Sequence, residues 1–127
     1  MRKIIIAGLT LVLLLSGCGK KELTYYPDTT APMLENIFPD VSYEYNEEKE
    51  EGSYSPYYYN ESDFSDVNAA AEKYAELIKK NGYKFLISVN FRTKEGEKLS
   101  KNLYNKNNSN AVAVYYEPPY LVISVMK

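Results

Sequence analysis

Apolar positions recur along the chain with two periods, and the switches between them mark its elements. Phe64, Val67, Ala71, Tyr74 and Ile78 return at steps of three and four, with Ala70 and Leu77 widening the stripe. That is the period of a helix with one buried face. The spacing predicts a helix from Asp63 to Asn81, capped by Ser62. Asp63 and Asp66 suit its electropositive first turn, and Lys79 and Lys80 its last. Gly82 can take the left-handed conformation that stops it. Tyr83, Phe85, Ile87, Val89 and Phe91 then fall on alternate positions, as in a strand with one covered face. This odd face and the helix stripe are expected to be the two halves of one core.

Shorter alternations lie on either side. Val41, Tyr43 and Tyr45 alternate with Ser42 and Glu44, a charged turn follows at 46–52, and Ser53–Asn60 is rich in tyrosine. These read as two strands, with Pro56 placing the second at an edge or delaying its start. Pro32–Phe38 reads as one helical turn with proline at its first position. After a turn at 93–98, Leu99–Asn105 is a weaker strand, followed by an asparagine-rich turn. Ala111–Glu117 and Tyr120–Met126 are the last two strands. A register symmetric about Pro118-Pro119 pairs Tyr116 with Leu121, Val114 with Ile123 and Val112 with Val125, all on one face. Two prolines cannot supply the positive φ of a two-residue primed turn, so a loop of four or more is expected. The sum is an α+β domain, one long helix on an antiparallel sheet of four to six strands in the approximate order β-β-α-β-β-β-β.

The first residues follow a different logic. Arg2 and Lys3 precede twelve uncharged residues, Ile4–Leu15, and then Ser16, Gly17 and Cys18. A charged head, an apolar core and small residues at its end describe a secretory leader, too short to span a bilayer comfortably. Leu15-Ser16-Gly17-Cys18 resembles the lipobox of bacterial lipoproteins. The resemblance implies a diacylglyceryl group on the Cys18 thiol and cleavage by signal peptidase II between Gly17 and Cys18. Residues 1–17 would then be a removed signal peptide. Residues 18–31 are expected to form a flexible tether in which little can pack, and 32–127 a single domain. The run Tyr74–Tyr83 and the closing hairpin further resemble a group of small, uncharacterised lipoproteins common in Gram-positive bacteria. That likeness implies an extracytoplasmic, lipid-anchored domain and carries no activity.

Composition narrows the chemistry. The chain has no histidine, no tryptophan and one cysteine. This removes Ser-His-Asp and Cys-His catalysis, His-built metal sites and internal disulfides. With Lys+Arg 15 and Asp+Glu 17 the charge is nearly balanced, against a nucleic-acid partner. Without residues 1–17 the balance is mildly acidic, which argues against the folded part binding an anionic membrane surface. No nucleotide-binding glycine motif occurs. The acidic run Glu44, Glu47, Glu48, Glu50 and Glu51 offers oxygen ligands for calcium but lacks the spacing of a recognised loop and contains Lys49, so it reads as a solvated turn. Asp63 and Asp66 suit a helix start better than a catalytic carboxylate pair. No metal and no cofactor is expected, and no enzyme.

Tyrosine is the unusual component, with 14 copies. Strand alternation must put some of them on an outer face, where rigid aromatic rings make contact surfaces at little entropic cost. Tyr57, Tyr59, Tyr115 and Tyr120 are the candidate partner-binding residues. The expected role is a non-enzymatic module for a protein or cell-wall partner, and the alternative is a small-ligand binder for a glycan or peptide.

Overall fold

The computed structural model describes residues 22–50, 52–93, 95–107 and 110–126. The leader expected at 1–17 and the site formed by Leu15, Ser16, Gly17 and Cys18 lie outside the described residues. The strands are β1 (Tyr43–Tyr45), β2 (Tyr54–Asn60), β3 (Lys84–Arg92), β4 (Lys98–Asn107), β5 (Asn110–Glu117) and β6 (Tyr120–Met126), with helix α1 (Val67–Lys80) between β2 and β3. Single 3-10 turns stand at Leu34–Asn36, before β1 and within the helical turn expected at Pro32–Phe38, at Glu47–Lys49 between β1 and β2, and at Glu61–Asp63 before α1. All six strands form one antiparallel sheet in the order β1-β2-β6-β5-β4-β3. The fold is broadly α+β but dominated by the sheet.

The core lies on the face that α1 covers. Val112 and Val114 of β5, Leu121, Ile123 and Val125 of β6, Tyr57 and Tyr59 of β2 and Tyr104 of β4 pack with Ala70, Tyr74, Ala75 and Ile78 of the helix. The register about the prolines is the expected one: Val112 opposes Val125, Val114 opposes Ile123 and Tyr116 opposes Leu121. The loop is shorter than expected. Glu117 pairs with Tyr120, leaving two residues, and the Pro118-Pro119 peptide is cis. A cis proline at the third turn position closes a tight turn without positive φ. β2 is not an edge strand but lies between β1 and β6; Pro56 stands opposite Ser124 of β6, beyond the stretch Tyr57–Tyr59 that pairs with β1.

The helix begins later than its apolar stripe suggests. Asp66 is the N-cap and accepts from the backbone N–H groups of Asn68 and Ala69 at 3.0 and 3.2 Å. A carboxylate that satisfies two first-turn donors outcompetes Ser62 as a start signal. Ser62 and Asp63 belong instead to the preceding 3-10 turn, capped by Asn60. Phe64, outside the helix, meets Phe38 edge-on at 5.3 Å.

Two further expectations give way. The odd face from Tyr83 to Phe91 is not one face, because the β3–β4 pairing shifts between Phe85 and Ile87. An extra residue in a strand reverses the side of every residue beyond it. Phe85 keeps the helix side and meets Tyr104 at 5.7 Å, whereas Val89 and Phe91 oppose Lys101 and Leu99 on the other side. The stretch before Pro32 also packs. Tyr26 is 1% exposed, stacked on Tyr57 at 4.4 Å, and Ala31 is buried. Backbone bonds from Tyr26 N to Ala31 O and from Met33 N to Thr24 O fold this stretch into a small loop against the core.

Candidate functional site

Of the four candidate tyrosines, the structure divides two from two. Tyr57 and Tyr59 face α1 and are buried, so they leave the set of contact residues. Their neighbours Tyr43 and Tyr45 of β1 and Tyr26 of the N-terminal loop form an aromatic cluster around them. Its hydroxyls are joined in sequence. The Leu34 N–H donates to the Tyr26 hydroxyl at 3.3 Å, the Tyr26 and Tyr59 hydroxyls lie 2.6 Å apart, and Tyr59 donates to Glu35 Oε1 at 2.8 Å. Tyr74 of α1 donates to the Pro32 carbonyl at 2.8 Å. Burial raises Tyr26, Tyr59 and Tyr74 well above the ordinary tyrosine value. Burial also raises the Glu35 carboxyl, and the bond from Tyr59 offsets part of that. These groups hold the N-terminal loop down; they are structural.

Tyr115 and Tyr120 lie on the opposite face, which no helix or strand of the described residues covers. Register fixes its layout. Glu44, Tyr58, Val122, Tyr115, Lys101 and Val89 form one row across all six strands. Pro56, Ser124, Ala113, Leu103 and Ile87 form the next. Tyr58 and Tyr120 meet edge-on at 5.4 Å, and Phe91 and Tyr115 at 5.2 Å. A lysine lies over one ring of each pair: Lys49 over Tyr58 and Lys101 over Phe91, both 4.9 Å from the centroid. Ala113, Val122 and Ser124 are buried between these taller neighbours. Glu44, Tyr45, Asn46, Lys49, Tyr58 and Tyr120 line an open cleft of about 300 Å³ at the β1 end.

Sequence reasoning missed Tyr58 and Phe91. The signal for Tyr58 was present, since the middle of three consecutive strand tyrosines must oppose its neighbours. Phe91 was hidden by the bulge. Among the described residues, no group of three or more His, Cys, Asp or Glu could hold a metal ion, and no helix is long and apolar enough to cross a membrane. The residues Glu47–Lys49 form an exposed single turn capped by Asn46. No family model matches the chain, and no curated protein or solved structure is significantly similar to it.

Proposed function

We propose that the chain is a non-enzymatic module, held on the outer side of the cytoplasmic membrane by lipid on Cys18, that offers the sheet face opposite its helix to a protein or cell-wall partner. The reading of the anchor rests on the sequence Leu15-Ser16-Gly17-Cys18 behind a charged head and an apolar core. The observation that carries the binding role is the pair of perpendicular aromatic contacts, Tyr58 with Tyr120 and Phe91 with Tyr115, on a face without a covering layer. Rings fixed by edge contacts and cross-strand neighbours lose little freedom when a partner seats on them. Affinity capture of the protein from its own membranes tests the role. Tyr115→Ser with Tyr120→Ser should abolish capture while leaving the fold intact, and undiminished capture by the double variant removes the proposal. Cys18→Ala should leave the protein unprocessed or released from membranes.

The cleft beside Tyr120 favours a second reading, a small-ligand binder for a glycan or peptide. Its aromatic wall suits an apolar ligand face, and Glu44, Asn46 and Lys49 supply hydrogen-bonding groups at its rim. Titration with oligosaccharides and short peptides separates the two. A cleft ligand is lost with Tyr120→Ser and kept with Tyr115→Ser.

A further inference from the structure

The near balance of charge conceals a separation along the sheet. Residues 22–78 hold fourteen acidic and two basic side chains, and residues 79–127 hold three acidic and nine basic. The first group supplies β1 and β2 at one edge and the second supplies β3 and β4 at the other, so the edges have opposite sign. The basic edge also carries the most exposed large apolar side chains of the strands, with Phe85 51%, Leu86 55% and Ile87 55% exposed. Four exposed lysines stand around that trio. Lys84 precedes it in β3. Lys79 and Lys80 end α1, whose Ile78 and Lys79 carbonyls accept from Tyr83 and Gly82 just before β3 begins. Lys106, near the end of β4, runs along Gly82, its Cε 3.1 Å from where a β-carbon would stand.

We infer that this corner docks directly on an anionic lipid bilayer. The lysines would meet lipid phosphates, and Phe85, Leu86 and Ile87 would enter the boundary between headgroups and acyl chains. Interfacial binding combines these two contributions. A soluble polyanion would use the lysines and leave three large apolar groups in water. A partner strand adding to the edge would meet the bulge at Leu86, which breaks the row of backbone groups it needs. The mildly acidic total does not oppose the contact, because charges farther than a Debye length of about 8 Å are screened. The contact is edge-on: Ile87 shares the face of Tyr115 and Tyr120 but stands two strands from Tyr115, and Phe85 lies on the helix side. It rests on the proposed location outside the cytoplasm only in that a membrane lies nearby.

The chain has no tryptophan, so Leu86→Trp installs a single reporter. The full chain carrying it, purified from its own membranes, is reconstituted with vesicles of phosphatidylcholine alone or mixed with an equal part of phosphatidylglycerol. Co-flotation with the neutral vesicles reports the anchor, and tryptophan emission reports the corner, so the two readings fail separately. On the anionic vesicles, emission should shift to the blue and be quenched by brominated lipid; on neutral ones it should not. Lys84→Gln and Lys106→Gln should each weaken the anionic effect about fivefold. Amide exchange over 84–90 in the chain with Leu86 intact should slow on the same anionic vesicles, independent of any effect of the reporter on folding. Water-like emission and unchanged exchange on anionic vesicles would overturn the inference. So would equal effects on both lipids, or insensitivity to the two lysine variants.

Discussion

Glu35 and Tyr26 show how single side chains hold the N-terminal loop. Because burial raises the Glu35 carboxyl, the folded protein keeps a proton that the unfolded chain, with its ordinary value of 4.5, has already lost. The resulting stability is complete below that value and is lost as pH rises through the folded one. Glu35→Gln cannot titrate, so the melting temperature of the native chain should fall relative to the variant as pH rises above 4.5. Thermal melts across that range check the sign. Tyr26→Phe keeps the ring but removes the acceptor of the Leu34 N–H and the partner of Tyr59, and should cost about 1–2 kcal/mol in chemical denaturation. None of this was legible beforehand. Tyr25-Tyr26-Pro27 lies in a stretch of proline, threonine and charge, and only the tertiary contacts with Tyr57 and Tyr59 give Tyr26 its place.

Elements were readable wherever a local signal had no competitor. The hairpin register followed from alternation alone, since a one-residue slip would set Val112 and Val114 against the face opposite that of Ile123 and Val125. The helix body was equally clear, but its start depended on choosing between Ser62 and Asp66, and only the structure shows which oxygen the first-turn amides find. Asp66→Ala should therefore cost about 1 kcal/mol, while Ser62→Ala stays within about 0.5 kcal/mol. Parallel urea titrations followed by circular dichroism decide between them. The bulge in β3 had no sequence signature, because Tyr83 through Phe91 alternates without a break. Pairing with β4 imposes the shift, and with it the candidate face gains Phe91 and the core loses Ile87, Val89 and Phe91.

At the scale of the molecule, the expected boundary at residue 32 divides a packed unit. A chain beginning at Pro32 lacks Tyr26 and Ala31 and leaves Tyr57 and Tyr59 uncovered on that side. Such a chain should lose at least about 3 kcal/mol against the full one, the scale of removing a buried aromatic side chain. A denaturation midpoint shared by the two would show that the loop merely rests on the surface. Charge was legible as a total and misleading as one, because strand order decides where each charge stands. The folded loop has a mechanical corollary for an anchor at Cys18. Only five residues separate that cysteine from Thr24, whose hydrogen bonds to Asn36 already belong to the globule. Fully stretched, they reach about 20 Å. On so short a leash a domain tethered at Cys18 would have little headroom above a bilayer, and a partner it captured would itself have to come down to the lipid surface.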